Sequence, residues 1–500
     1  MRPRRSGLTP ARAHALTLVS GAALTLAFPE IDLAFVAWVA IAPLIALARG
    51  AGARAGLALG LSFGLAFFGT LLSWVSLVGY LAWGVLVVVQ AAFLGLFGML
   101  WGIGSKRLRG MGAALLATAL WVAVEFLRSI FPVGGFTWGQ LAQSQHELDW
   151  ILNSASLGGS WAVAFIVAFV NALLAEAWIG FRTGERGRGA AYLAAGALAV
   201  ALPAAVPRDV SEGDALRVAI VQGNVPRSIP EGFERDLAII ESHARLTSSL
   251  PDDVDLVVWP ESAVAIDPES VAEVAASLQD AARAAGAPMI VGGNSDIDED
   301  RYRVVAFEVS PEEGITDRYV KTHLVPFGEY VPARDFLGWI PTLEQVPRDA
   351  VAGDGPGLFE VAGGTVATVL SFEGDFGSLV RNRIGAGARL LIVATNTSTW
   401  GESWASAQHL AMSQVRAVEN GVWVIHAAIS GISAFVAPDG DVVDRTDLWT
   451  TDVVVRDAAF ADEVTFYART GDWLAYLSLA GAGAGLALAL RRRDETHGPR

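Results

Sequence analysis

The sequence predicts an α-helical membrane protein of about eight spans that carries one α/β domain outside the bilayer. Three observations lead there. The 500 residues are 53% hydrophobic and only 17% charged, with sixteen Trp and a mean hydropathy of +0.44, whereas globular domains average about 25% charged residues. The apolar residues are gathered into runs that approach the roughly 20 needed to cross a bilayer core. Charge is partitioned as sharply: residues 1–207 hold thirteen Lys/Arg against seven Asp/Glu, a net +6, and residues from Asp472 onward are +1. The stretch between them holds nineteen against forty-one, a net −22. A solvated acidic domain therefore interrupts an apolar chain. Its charge argues against a nucleic-acid partner, because phosphate binding needs basic patches. The absence of cysteine excludes disulfides, cysteine zinc sites, iron–sulfur clusters and a cysteine nucleophile.

The candidate spans are Ala13–Phe28, Leu33–Ala48, Leu57–Val78, Leu81–Ile103, Met111–Phe131, Gly159–Ile179, Ala190–Val206 and Trp473–Leu490. The basic start with Arg2, Arg4, Arg5 and Arg12 fits a signal-peptide pattern, but apolar segments follow at once, so a retained first span is expected. Alternate connections carry the basic residues: Arg2–Arg12, then Arg49 and Arg54, then Lys106, Arg107 and Arg109, then Arg182, Arg186 and Arg188, and finally Arg491, Arg492, Arg493 and Arg500. The connections Pro29–Asp32, Gly79–Tyr80 and Pro132–Leu157 carry none. By the positive-inside rule both termini are cytoplasmic and Arg208–Gly471 lies outside. The expected division is 1–207 membrane, 208–472 outer domain, 473–490 eighth span and 491–500 basic tail. Glu125 and Arg128 share a helix face, and a structural ion pair is the expectation. Phe136, Trp138 and Trp150 in the 132–157 loop suit an interfacial aromatic anchor. Gly481, Gly483 and Gly485 read as close helix packing.

The outer domain alternates strand and helix patterns. Expected strands are Leu216–Gln222, Asp255–Trp259, Pro288–Gly292, Arg303–Val309, Ile315–Val320, Thr365–Ser371, Leu390–Ala394, Val422–Ala427 and Ser433–Ala437. Expected helices are Glu234–Ser248, Glu269–Ala285, introduced by Asp267-Pro268, and Ala405–Glu419. Between Gly328 and Leu358 periodicity is lost, and Phe336 and Trp339 read as exposed. A long apolar loop of this kind is usually functional, and beside a membrane it suits a lid.

Three stretches at strand ends carry possible chemistry, where α/β sites gather. Val257-Val258-Trp259-Pro260-Glu261 places Glu261 directly after a strand. Tyr319 to Pro332 contains Lys321, one of only two lysines in the chain (the other is Lys106), with Glu329 eight residues on. Elsewhere every basic side chain is arginine, so a compact ammonium is retained where a planar guanidinium would not substitute; codon bias is the plainer alternative. Val369-Leu370-Ser371-Phe372-Glu373-Gly374-Asp375 ends a strand with a hydroxyl beside two carboxylates, and spacing does not choose between Glu373 and Asp375 as its neighbour. A base, a cation and a small nucleophile together suit acyl transfer. No histidines stand at metal-ligand spacing; His323 reads as a supporting or surface residue and His426 as a core one. Asn396-Thr397-Ser398 matches a glycosylation pattern but reads more simply as a turn.

Trp-Pro-Glu, then Tyr-x-Lys-x-x-Leu-Val-Pro-Phe-Gly-Glu-Tyr-Val-Pro, then a strand ending in x-Phe-Glu, resembles the nitrilase superfamily. Within a membrane protein the resemblance is to the apolipoprotein N-acyltransferases. Glu125-Phe126-Leu127-Arg128, Gly135-Phe136-Thr137-Trp138, Asn396-Thr397-Ser398-Thr399-Trp400-Gly401 and Gln414-Val415-Arg416-Ala417-Val418-Glu419 look like further motifs of that family. The resemblance implies an αββα sandwich outside the membrane, on the extracytoplasmic side of the bacterial inner membrane. It implies acyl transfer from a phospholipid, through an acyl-enzyme, to the α-amine of the diacylglyceryl-cysteine of an apolipoprotein. It also implies no cofactor, no metal and a monomer. By motif position Glu261 is the general base, Lys321 the cation at the oxyanion and Ser371 the nucleophile. Glu329 and Glu373 support them, and Trp138, Phe336, Trp339 and Trp400 contact substrate or form the lid. The family has cysteine where this chain has Ser371. An engineered replacement, a natural serine variant and a homologue without catalysis all stay open, as does a membrane-anchored amidohydrolase.

Overall fold

A computed structural model describes residues 9–207 and 212–491. The arginines of the first eight residues and the basic tail from Arg492 lie outside the described residues. The chain forms two compact units, one up to Pro207 together with the residues from Thr470, the other running to Arg469.

In the first unit six helices are long and apolar enough to cross a bilayer: Ala53–Leu71, Tyr80–Gly104, Met111–Ile130, Ser160–Thr183, Arg186–Ala205 and Trp473–Leu490. Met111–Ile130 is 83% buried and Arg186–Ala205 only 17%, so the former is the centre of the bundle and the latter its edge. The first two expected spans come out shorter. Pro10–Thr25 is a helix of 16 residues, and the second is an apolar helical segment, Ala34–Ala48, divided between Ala40 and Ala42. Pro43 cannot donate a helical hydrogen bond, and the division is capped from elsewhere. Asn171 Oδ1 accepts from the N–H groups of Ile41 and Ala42 at 2.9 Å each, and its Nδ2 donates to the Ala37 carbonyl at 2.8 Å. Close packing driven by small residues occurs between Ala53–Leu71 and Tyr80–Gly104, where a Cβ on Gly56 would stand 2.1 Å from the Gly98 carbonyl oxygen. In the last helix Gly485 packs tightly on Leu116, whereas Gly483 faces open space.

The expected ion pair between Glu125 and Arg128 does not form. Each is instead turned to the following loop. Glu125 Oε1 accepts from Trp121 Nε1 and from the Leu141 N–H, both at 3.1 Å, while Arg128 Nη1 donates to the carbonyls of Phe136 and Trp138 at 2.9 and 2.8 Å. In apolar surroundings a backbone loop must find its partners in protein, and these two ions supply them. Trp138 is accordingly 2% exposed and packs between Trp74 and Phe136, so it is part of the core of this unit and not an interfacial anchor.

The second unit is built on two sheets. Strands β1 (Glu212–Gln222), β2 (Leu256–Val264), β3 (Met289–Asp296), β4 (Arg301–Ser310), β5 (Gly314–Val320) and β6 (Asp349–Ala350), with β13 below, form the first. Strands β7 (Leu358–Val361), β8 (Gly364–Leu370), β9 (Leu390–Thr395), β10 (Val424–Ala428), β11 (Ala434–Val436) and β12 (Val442–Arg445) form the second, and β13 (Asp452–Ala461) completes the first. The orders are β13-β1-β2-β3-β4-β5, with β6 on β4, and β12-β11-β10-β9-β8-β7. Successive side chains of a strand point to opposite faces, and burial follows that rule. Leu216, Val218 and Ile220 join Leu370, Ile392 and Ala394 in one core between the sheets. Ala219 and Val221 face the other way, onto a core shared with the helices Phe233–Thr247 and Ala272–Ala285. The helices Gly377–Gly385 and Ala405–Asn420 cover the second sheet. The layers run αββα.

Strands β6, β7 and β13 and the helix Gly377–Gly385 were not expected, whereas β12 completes a hairpin with β11 through the turn Pro438-Asp439-Gly440. β6 lies inside the loop whose prolines hide any alternation and β7 ends it, and both are short. The helix after Asp267-Pro268 begins later than expected, at Ala272, because the Asp267 carboxylate accepts from Glu269 N and folds these residues into a turn.

Candidate active site

Glu261, Lys321 and Ser371 stand on three different strands or strand ends. Glu261 lies within β2 at a break in its pairing with β3, between Trp259 and Val264. The neighbouring Gly292 of β3 allows that break, because a Cβ there would come within 2.4 Å of the Pro260 carbonyl oxygen and 2.6 Å of Glu261 Cα. Lys321 follows β5 directly, its N–H donating to the Val304 carbonyl of β4 at 2.9 Å. Ser371 begins the 3₁₀ turn Ser371–Asp375 after β8 and holds φ at 48°, the left-handed region that a non-glycine residue occupies at a cost of about 1–3 kcal/mol.

Lys321 is fully buried, and its Nζ donates to Glu261 Oε1 at 3.0 Å and to Glu329 Oε1 at 2.5 Å. The remaining oxygens are held as well: Glu261 Oε2 accepts from Asn396 N at 3.1 Å and Glu329 Oε2 from Val325 N at 2.7 Å. An ammonium has three donors, so one is left for a substrate oxygen. Burial raises the Glu261 carboxyl above the usual range, with Lys321 pulling against it and Glu329 adding to the rise. Burial alone would lower Lys321, but the Glu261 and Glu329 carboxylates outweigh it and hold the ammonium protonated above the usual lysine range. A cation fixed between two carboxylates, one of them with raised proton affinity, can both stabilise an oxyanion and exchange a proton.

Glu373 ties the lysine segment to the serine turn. Its Oε1 accepts from the Tyr319 hydroxyl, Thr322 N, Thr322 Oγ1 and His323 N, and its Oε2 from Leu370 N. Arg383 donates to Tyr319 and stands 3.4 Å from Glu373. Glu373 is thus an organiser saturated by donors. Asp375, its rival for the place beside Ser371, faces His409 Nε2 at 3.2 Å. Ser371 Oγ is 3.1 Å from Thr395 Oγ1 at the end of β9.

The remaining candidates divide. Phe336 and Trp339 are 80% and 79% exposed, on a loop whose base is closed by Arg334 on Asp349 at 2.9 and 2.5 Å. Trp400 packs edge-on against His409 at 6.2 Å. Trp138 belongs to the other unit. His323 packs on Phe376 at 4.2 Å, and His426 is buried with Nδ1 2.8 Å from Ser413 Oγ. Asn396 Oδ1 accepts from Ser398 N and Oγ, the geometry of a turn. Among the described residues no three His, Asp or Glu side chains gather as a metal site. Sequence reasoning missed Arg383, Thr395 and His409. The first lies in an unexpected helix, and the other two had no spacing signal because β9 and Ala405–Asn420 bring them to Ser371 only in three dimensions.

Two family models match the chain: the apolipoprotein N-acyltransferase N-terminal domain over residues 20–173 and carbon-nitrogen hydrolase over residues 217–465. Among curated relatives, an apolipoprotein N-acyltransferase of Geobacter metallireducens is 32% identical over 508 residues, covering 98% of this chain and 97% of its own. Those of Gloeobacter violaceus and Mycolicibacterium smegmatis are 30% and 35% identical, covering 92% and 85% of this chain and 91% and 76% of theirs. With likeness at that level along both units, the chain belongs to the apolipoprotein N-acyltransferase family.

Proposed function

We propose that this protein moves an acyl chain from a membrane phospholipid to the α-amine of the diacylglyceryl-cysteine that begins an apolipoprotein. The observation that carries the reading is the buried Lys321 held between Glu261 and Glu329, in a chain related along its whole length to acyltransferases of that name. Ser371 Oγ attacks the ester carbonyl of the phospholipid, and the Lys321 ammonium meets the oxyanion. The glycerol oxygen departs with a proton, leaving an acyl-enzyme ester. The lipoprotein amine then attacks that ester, Glu261 takes its proton and passes it to Ser371 Oγ, and the amide is released. Phe336 and Trp339 offer apolar surface to the acyl chains, a role supported by their exposure. Glu329 and Glu373 hold Lys321 and the serine turn in place. The working location is the bacterial inner membrane, with the second unit on the extracytoplasmic side, supported by the distribution of arginine among the connections.

An amidohydrolase reading accounts for the second unit alone and gives no reason for likeness through the first. The test is incubation of purified protein with isotopically labelled phospholipid and a diacylglyceryl peptide. A peptide heavier by one labelled acyl group is expected. Hydrolysed free fatty acid without peptide acylation, or no acyl movement at all, overturns the proposal.

A further inference from the structure

A serine hydroxyl is a far weaker acid than a thiol, whose pKa lies near 8.5, and serine nucleophiles ordinarily depend on a histidine base. The two carboxylates around Lys321 are bonded to the ammonium and to backbone donors, and neither is hydrogen-bonded to Ser371 Oγ. On the other side of Ser371 stands a continuous polar chain that the roles above leave unused. Ser371 Oγ lies 3.1 Å from Thr395 Oγ1, which lies 3.4 Å from His409 Nδ1, and His409 Nε2 lies 3.2 Å from Asp375 Oδ1. All four residues are buried, Ser371 being 6% exposed and the others 1% or less. Neither Asp375 oxygen makes a hydrogen bond among the described residues, and His409 is the side chain that forms an ion contact with it, while His323 senses the same carboxylate at longer range. The carboxylate favours the tautomer with its proton on Nε2, in which Nδ1 is the acceptor facing Thr395. Trp400 and His426 flank the imidazole edge-on at 6.2 and 5.0 Å and fix its plane.

We infer that Thr395, His409 and Asp375 form a proton relay that activates Ser371, an inference that rests on the acyl-transfer reading above. As the bond from Ser371 Oγ to the ester carbonyl carbon forms, the serine proton passes to Thr395 Oγ1 and the threonine proton to His409 Nδ1. The imidazolium is then paired with Asp375. When the carbonyl carbon–glycerol oxygen bond breaks, the same proton returns through Thr395 to the glycerol oxygen. The relay is neutral again before the amine arrives, and the amine's proton travels through Glu261. His409 and Asp375 act through Thr395, and Asp375 positions the imidazole.

The test is a cycle of variants in the full-length protein, read as the rate of appearance of acylated protein by intact mass after mixing with phospholipid alone. General-base assistance is worth about 10²–10⁴-fold. His409→Gln and, as a near-isosteric second variant, Thr395→Val should each slow acylation by at least about a hundredfold, while Thr395→Ser should keep most of the rate. In a Ser371→Cys background the penalty of either substitution should shrink to about tenfold or less, because a thiol ionises without histidine. Equal losses in the serine and cysteine backgrounds would mean that the chain is only structural, and full activity of Thr395→Val would remove the relay outright. Acylation of the cysteine parent but not of the native chain would overturn the relay while leaving the family chemistry standing. No acylation of either parent would overturn the acyl-transfer reading and the relay with it.

Discussion

Replacing Glu373 with glutamine keeps the side chain's shape and removes its charge at the point where the serine turn is tied to the lysine segment. In the native chain Oε1 accepts from the Tyr319 hydroxyl at 2.7 Å, from Thr322 N and Oγ1 at 2.9 and 2.8 Å and from His323 N at 3.0 Å, while Oε2 accepts from Leu370 N at 2.9 Å. An amide offers one oxygen. If that oxygen stays with the first group of donors, the amide nitrogen confronts the Leu370 N–H, donor against donor, at a position with no exposure to water. Arg383, itself buried and 3.4 Å away, loses its counter-charge at the same time. Breaking a buried pair by removing one partner costs about 3–5 kcal/mol, and the lost charged hydrogen bond overlaps with that figure instead of adding to it. Since each 1.4 kcal/mol is a factor of ten, opening of the segment should become at least about a hundredfold easier. Hydrogen exchange of the Thr322 and His323 amides, followed by mass spectrometry in detergent, should accelerate accordingly, and acyl transfer should fall about 10²-fold as the lysine drifts by roughly an ångström. Unchanged exchange over these two amides, with transfer within about threefold of native, would refute the organising role given to Glu373.

Lys321→Arg keeps the charge but not the compact ammonium that reaches Glu261 and Glu329; acyl-enzyme formation should drop about 10²–10³-fold, and full activity would return this lysine to codon bias. Gly292→Ala adds a methyl within 2.6 Å of Glu261 Cα and should lower transfer by at least about tenfold, a 1 Å misplacement being worth more than that; a crystal structure with Glu261 unmoved would contradict it. The transfer step needs Glu261 ionised, and burial raises its proton affinity, so its rate should fall as pH drops through an apparent pKa above the usual carboxylate range. Glu261→Gln should abolish that acid limb, and a limb that persists belongs to another group. Asn171→Leu leaves the Ile41 and Ala42 N–H groups without their acceptor. At about 1–3 kcal/mol for each unsatisfied buried group, the variant should lose resistance to thermal aggregation in detergent, while an unchanged midpoint would show that the broken helix satisfies itself.

The sheet strands that carry the site were legible because their apolar runs are bounded by turn residues, as with Leu390–Ala394 before Asn396. The expected Glu261, Lys321 and Glu329 do meet, and the hint was a lysine kept in a chain otherwise served by arginine. What the sequence could not convey is how a side chain spends its bonds. Glu125 and Arg128 share a helix face, so pairing was the natural expectation, yet each finds a better partner in the loop backbone that the bilayer cannot solvate. Glu373 and Asp375 are equivalent by spacing from Ser371. The 3₁₀ turn separates them, sending one toward Tyr319 and Thr322 and the other toward His409 on a helix 34 residues further along.

That separation bears on the choice of nucleophile. The carboxylates of Glu261, Glu329 and Glu373 accept from Lys321, from Tyr319 of β5, Leu370 of β8, Asn396 just after β9 and the loop from Thr322 to Val325, and none of those bonds involves Ser371 Oγ. Exchanging oxygen for sulfur at residue 371 therefore breaks none of the bonds around Lys321 and Glu373. It changes only the acidity of the attacking group, and with it the strength of base required. A carboxylate suffices for a thiol, whereas a hydroxyl needs an imidazole within reach through hydrogen-bonding partners. The chain supplies one at His409, with Thr395 between them and Asp375 behind. Under the proposed relay, serine at this position alters how the proton leaves while the bonds around Lys321 stay as they are.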